Sequence, residues 1–254
     1  MRADYDRIAS RFDENPSRTH AADPLLAERL AGAAGRRLVV LDVGCGTGTY
    51  LQAQVSACGG EAAAWMGLDP SPAMLALARR KVPQAGLAVA RAEALPCAGG
   101  SIDHLVTTFA LQHFEDKAAA LDEATRVAAR DASLRLLNVV PEAMPGWWIY
   151  RFFPPTRVLD ARRFWRVEQL RAELERRGWS VRAEVAASRR TVPVERLLTE
   201  AQRRDSSQLD LLDEGEYRAG LERLRRALRD QPGGAVETES AHLDLRAIRA
   251  GSRR

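Results

Sequence analysis

Apolar and polar positions along the first 140 residues follow two interleaved patterns. Short runs rich in consecutive apolar residues, near 38–42, 64–68, 87–91, 103–109 and 134–140, have the length of buried strands. Between them, near 49–57, 72–80 and 116–129, apolar residues recur every three or four positions, the spacing of a helix with one buried face. Upstream, Tyr5, Ile8, Ala9 and Phe12 share one face of an N-terminal helix, and a second helix fits Pro24 to Ala34, ahead of Gly35. Strands alternating with helices in this order predict an α/β fold with a doubly wound, mostly parallel sheet. A ligand of such a sheet lies across the carboxyl ends of its strands, where the strand order reverses.

After Val140 the pattern changes. The stretch from Pro141 to Pro155 carries Trp147, Trp148, Tyr150, Phe152 and Phe153, five aromatics within seven positions. Val167, Leu170 and Leu174 then mark a helix stopped by Gly178, and Trp179, Val181, Ala183 and Val185 alternate with Ser180, Arg182 and Glu184 as a strand does. Pro193 to Arg203 and Tyr217 to Leu228 are amphipathic helices, and His242, Asp244 and Arg246 alternate with Leu243, Leu245 and Ala247 in a last strand.

The chemistry concentrates at the end of the first strand. Val39-Val40-Leu41-Asp42-Val43 opens into Gly44-Cys45-Gly46-Thr47-Gly48-Thr49, three alternate glycines before a helix, and Asp69 ends the second apolar run twenty-five residues after Gly44. Glycines let backbone N–H groups approach a ligand closely at a helix start, and an acid at the next strand end can hold a ribose. The pair therefore predicts a nucleoside-cofactor site. A dinucleotide fingerprint needs a third glycine at position 49, where Thr49 stands, and no Gly-Lys-Ser/Thr ending is present for a phosphate-binding P-loop.

The run Asp42 to Thr49 resembles motif I of the class I S-adenosylmethionine-dependent methyltransferases. Three further stretches are similar to that family in chain order: Gly67-Leu68-Asp69-Pro70-Ser71 with Met74-Leu75 and Ala78; Ala92-Glu93-Ala94-Leu95-Pro96; and Ala110-Leu111-Gln112-His113-Phe114-Glu115-Asp116. The last, with Tyr5-Asp6 and Phe12-Asp13 near the N-terminus, resembles the ubiquinone and menaquinone biosynthesis type, and the likeness covers most of residues 4–140. Arg91 departs from the pattern, standing where relatives often carry the acid that binds the adenine amino group, and Cys97 replaces their phenylalanine.

The resemblance implies a Rossmann-like, seven-stranded sheet with an antiparallel edge hairpin and extra helical cover, and S-adenosyl-L-methionine as cofactor. It implies cofactor contacts from Asp42, Gly44, Cys45, Gly46, Gly48, Asp69, Pro70, Met74, Ala92, Glu93 and Phe109, with Asp69 on the ribose hydroxyls. One methyltransferase domain over 1–254 is expected: an N-terminal helical cap (1–34), a cofactor-binding core (38–140) and a substrate-side cover from 141–178 and 190–230, with Asp205 to Leu228 as an inserted helical piece. Methyl transfer needs alignment more than acid–base chemistry, because a neutral thioether leaves; a base matters only where the acceptor must lose a proton. His113, in the loop after the fourth strand, is the candidate base, with His20, Tyr5 and Glu142 as alternatives and His104 and His242 as structural residues. Tyr5, Trp147, Trp148 and Arg151 are candidate substrate contacts, although aromatics at helical spacing are more often core than pocket.

Composition sets the outer limits. Hydrophobic residues make up 46% and charged residues 28% of the 254, a globular balance, and no apolar run approaches a membrane span, so a cytoplasmic protein, monomer or homodimer, is expected. Cys45, Cys58 and Cys97 are 13 and 39 residues apart with no histidine at ligand spacing, which supports neither a metal site nor a disulfide framework. The net charge is +4, and only Lys81 and Lys117 are lysines among 38 basic residues. Residues 151–190 hold eleven arginines against five acids, which keeps a nucleic-acid methyltransferase or binding protein as a second reading behind small-molecule O- or C-methylation. A cofactor-binding pseudoenzyme is the third.

Overall fold

A computed structural model describes residues 5–15, 19–204 and 206–250. In chain order the elements are α1 (Tyr5–Phe12), α2 (Pro24–Ala31), β1 (Leu38–Val43), α3 (Thr49–Cys58), β2 (Ala63–Asp69), α4 (Pro72–Lys81), β3 (Gly86–Val89), β4 (Ile102–Thr108), α5 (Lys117–Val127) and β5 (Ala128–Val139). There follow α6 (Trp148–Phe152), α7 (Pro155–Arg163), α8 (Val167–Arg176), β6 (Trp179–Pro193), α9 (Val194–Arg203), α10 (Ser207–Asp210), α11 (Glu214–Asp230) and β7 (Ala235–Arg249). The strands form one seven-stranded mixed sheet in the order β3-β2-β1-β4-β5-β7-β6, with antiparallel strands at one edge.

The chain divides into two compact units. One holds Tyr5–Asn138, Val167–Glu184 and the described residues from Asp244 on; the other holds Val139–Arg166 and Val185–Leu243. The core unit thus includes α8 and the first part of β6. Asp205, the expected start of the inserted piece, lies outside the described residues.

In the core unit β1 is central, pairing in parallel with β2 (Val40 with Trp65, Val43 with Leu68) and with β4 (Leu41 with Leu105). All its residues but Val39 are buried, as a run of apolar residues covered on both faces must be. Helix starts carry their own caps. Ser71 Oγ accepts from Met74 N at 3.1 Å with Pro72 at the first position of α4, and Asp116 accepts from Ala119 N at 2.9 Å at the start of α5. β5 starts at Ala128, ahead of the apolar run, and its register against β4 shifts between Ile102 and His104, with Asp131 in the left-handed region nearby. This bulge lets a polar stretch belong to a central strand.

The second unit has its own core of Trp148, Ile149, Phe152, Phe153, Leu197 and Leu221, among others. α11 approaches it so closely at Gly220 that a side-chain carbon there would lie 2.0 Å from the Phe153 ring. No helix among the described residues is long and apolar enough to cross a membrane, and none of the described His, Cys, Asp and Glu residues cluster as metal ligands would.

Candidate active site

β1 delivers the glycine loop to α3. Gly44 N and Cys45 N donate to Leu68 O at 2.7 and 3.0 Å, which ties the loop to the end of β2. Gly44 has φ 77°, and a side-chain carbon there would lie 2.6 Å from Ala110 Cβ. Gly46 has φ 52°, and a carbon there would meet nothing within 4 Å, so this face of the loop is open. Gly48 precedes the first turn of α3 and carries no side chain to cap it. Cys45 is buried, and burial pushes its thiol up, leaving it a small neutral filler in the loop.

Asp69 joins the two loops that a nucleoside would touch. Its Oδ2 accepts from Gly46 N and its Oδ1 from Ser71 N, both at 2.9 Å. Pro70 follows it, half-buried, and Met74 is fully buried one turn into α4. Asp42, one strand away, is fully buried, and neither carboxylate oxygen has a hydrogen-bond partner among the described residues. Burial first and the charge of Asp69 second push its carboxyl up to about 8. An orphaned buried acid beside an open glycine loop is a site short of a donor, which suits a ligand with a cationic group.

The turn after β3 and the loop after β4 supply the remaining predicted residues. Ala92 is buried beside an apolar cavity lined also by Val43, Thr107, Leu111 and Phe114. Glu93 faces the protein: its Oε1 accepts from Glu115 N at 2.7 Å and Asp116 N at 3.2 Å. Phe109 has φ 52° and is 42% exposed, an unusual state for an aromatic residue at a strand end, held by its N–H donating to Leu137 O at 2.8 Å. His113 lies on a single 3-10 turn, Leu111–His113, and its Nε2 is 2.7 Å from the Tyr5 hydroxyl, the two rings meeting edge to face.

Tyr5 is one of three anchors on α1 and the turn that follows it. Ser71 Oγ donates to Asp6 Oδ1 at 2.5 Å, and Thr47 Oγ1 donates to Asp13 at 2.6 Å, with Lys81 Nζ 2.6 Å from the same carboxylate. Ile8 and Ala9 pack on Met74 between them. Sequence reasoning quoted both acids without giving them a role.

The other histidines have different surroundings. His104 is fully buried, with Nδ1 2.8 Å from Ser133 Oγ and Nε2 3.6 Å from Asp23. Asp23 also accepts from the Tyr50 hydroxyl at 2.7 Å and faces Arg135 at 3.2 Å, which in turn pairs with Asp244 at 2.9 Å. Burial alone would raise the Asp23 carboxyl, but His104, Tyr50 and Arg135 together hold it well below the usual carboxylate range. His20 stacks edge-on to Tyr50, and burial, then Arg135, lowers its pKa.

In the second unit Trp148 is a core residue, buried against Phe153. Trp147 is partly buried, edge-on to Tyr150, and Arg151 is exposed with its guanidinium over Phe152. Glu142 faces Arg166 at 4.0 Å. Of the four candidate substrate contacts, Tyr5 bonds His113, while Arg151 N donates to Trp147 O at 3.3 Å. The arginines of 151–190 are largely partnered: Arg163 by Asp160, Arg171 by Glu175, Arg177 by Asp122 and Glu173, Arg182 by Glu184, and Arg189 by Glu239.

The strand order, with a glycine loop at the end of β1, gives an α/β protein with the architecture of the class I methyltransferases. Residues 41–136 match the family described as Methyltransferase domain. The chain is similar to a malonyl-[acyl-carrier protein] O-methyltransferase of Halorhodospira halophila, with 30% identity over 155 residues, covering 57% of this chain and 49% of the relative. It is also similar to a demethylmenaquinone methyltransferase of Thermus thermophilus, with 38% identity over 107 residues, covering 40% and 47%. The chain thus spans about half the length of these curated relatives. A phosphoethanolamine N-methyltransferase 2 of Haemonchus contortus, solved with S-adenosyl-L-methionine, shares the fold at TM-score 0.53 and 17% identity, over 89% of this chain and 53% of that one.

Proposed function

We propose that this protein binds S-adenosylmethionine on the Gly44–Gly48 loop and Asp69 and methylates a small-molecule acceptor, at oxygen or carbon. The observation that carries the reading is the bond from Gly46 N to Asp69 with open space over Gly46. When bound, the cofactor supplies an electrophilic methyl group. Asp69 would hold its ribose hydroxyls, Asp42 its ammonium, and Ala92 with Leu111 the apolar edge of its base. Tyr5 and His113 are the residues suited to an acceptor that must lose a proton: the acceptor's proton would pass to the Tyr5 oxygen as the Tyr5 hydroxyl proton passes to His113 Nε2. By their names, one relative is an O-methyltransferase of malonyl-[acyl-carrier protein] and another acts on demethylmenaquinone, which supports an oxygen acceptor in the one case and a quinone-like acceptor in the other. The internal pairing of the 151–190 arginines weakens the nucleic-acid reading, since paired guanidinium groups are not free to meet phosphates.

The test is transfer of labelled methyl groups to a panel of phenolic, quinone-like and carboxylate metabolites with bulk RNA as control. Labelling of one or more metabolites and not RNA is expected. Labelling of RNA alone would overturn the small-molecule reading, and cofactor binding with no transfer to either would favour a pseudoenzyme.

A further inference from the structure

We propose that Glu93 is a positioning residue for His113, joining the turn that carries Ala92 to the loop that carries the imidazole. The inference rests on the roles given above to Ala92 and His113. Arg91 and Ala94 close a tight turn, with Ala94 N donating to Arg91 O at 3.1 Å, and this turn points Glu93 at the start of α5. There one oxygen of Glu93 accepts the N–H groups of two successive residues, Glu115 and Asp116. These N–H groups follow His113 by two and three positions, in backbone that belongs to neither a helix nor a strand. Without Glu93 these two bonds are lost, and the peptide between His113 and α5 loses the direction they fix.

The turn itself cannot drift. Beyond it, Leu95 N donates to Glu123 Oε2 at 2.8 Å, and Arg126 donates to Leu95 O at 3.0 Å and Cys97 O at 2.9 Å, so residues 91–97 are fastened to α5 in its middle as well as at its start. Arg91 completes the clamp: its guanidinium faces Glu93 Oε2 at 3.5 Å and pairs with the Glu115 carboxylate. The arginine that departs from the family pattern is thereby accounted for as a tether between the two loops. His113 is then held from two sides, its ring by Tyr5 and the backbone two and three residues beyond it by Glu93. A change at the Ala92 turn is transmitted to the imidazole through one carboxylate.

Glu93→Ala and Glu93→Gln separate this role from others in the full-length chain. The readouts are amide hydrogen exchange at Glu115 and Asp116, the nitrogen NMR signals of the His113 ring, and calorimetry with S-adenosylhomocysteine. Glu93→Ala is expected to speed exchange at both amides at least tenfold and move the His113 signal toward that of a free imidazole. Glu93→Gln, whose amide oxygen still accepts both N–H groups, is expected to restore both readouts. An unmoved His113 signal in Glu93→Ala would overturn the proposal, as would failure of Glu93→Gln to rescue. A tenfold loss of affinity in both variants would make Glu93 a ligand contact and overturn it as well. None of these readouts uses turnover, so a dispensable His113 in the transfer assay would remove the base reading and leave the measured link between Glu93 and His113 standing.

Discussion

The Tyr5 hydroxyl and His113 Nε2, 108 residues apart in the chain, form a 2.7 Å hydrogen bond with their rings edge to face. Each thereby limits the other's rotation, and the imidazole is presented in one orientation. His113→Ala is expected to keep cofactor affinity and lower turnover by roughly 10²–10⁴-fold, the scale of lost general-base assistance. Tyr5→Phe should reproduce part of that loss, and the double variant should be little worse than His113→Ala, because groups acting as a unit are not additive. Single-turnover label transfer measures all three, and additive losses would show that the residues act separately.

Asp69→Ala removes the acceptor of Gly46 N and Ser71 N together with the expected ribose contact. S-adenosylhomocysteine should bind more weakly by roughly 1.5–3 kcal/mol, the range for hydrogen bonds to a charged group. Equal affinity by calorimetry would remove Asp69 from the ribose role.

Gly46→Val places a branched side chain in a left-handed backbone position and in the open space above the loop. Ligand binding should be lost more completely than in Asp69→Ala while circular dichroism stays that of a folded protein. Normal binding by a folded Gly46→Val protein would contradict the site.

Asp42 gives a pH signature. Its carboxyl is raised from 3.8 to about 8, so the folded protein holds this proton more tightly than the unfolded chain does. The stability of the ligand-free protein should therefore decline as pH rises from about 4 toward 8 on this account, and Asp42→Asn should flatten that decline. A ligand ammonium favours the ionised form, so binding at pH 7 should release protons, read as a dependence of calorimetric heat on buffer. Identical proton release in Asp42→Asn would assign it to another group.

Asp23 works in the opposite sense. Its carboxyl is depressed, so its contribution is complete above the ordinary value of 3.8 and fades as pH falls through the lower folded-state value. Arg135→Met strands Asp23 in the interior and should cost about 3–5 kcal/mol in denaturant unfolding at neutral pH. A loss below 1 kcal/mol would show that water or His104 compensates.

The elements that were legible in the sequence are those whose burial is regular. β1, β2 and β4 are covered on both faces, and their apolar runs mark them to within a residue or two. β6 and β7 are far longer than the alternation suggests, since residues 185–191 are exposed and carry no hydrophobic pattern. α7 starts behind two prolines, which the first turn of a helix tolerates but which obscure its beginning. In the site, the glycine loop and Asp69 were visible because the backbone geometry demands those residue types. Pairs such as Asp6 with Ser71, Asp13 with Thr47 and Glu93 with Glu115 were not, because a surface acid looks the same in sequence whatever it meets in space.

The three anchors of α1 and the turn that follows it bear on the traffic of ligand to and from solvent. Asp6 holds the residue two beyond Asp69, and Asp13 holds the residue after Gly46, so the helix is fastened on both sides of the one contact a nucleoside must reach. Exchange then requires an eight-residue helix to unfasten, and its frequency would set a ceiling on turnover that no excess of acceptor can lift. The bridge from Lys81 to Asp13 is partly exposed, so that ceiling should rise with added salt.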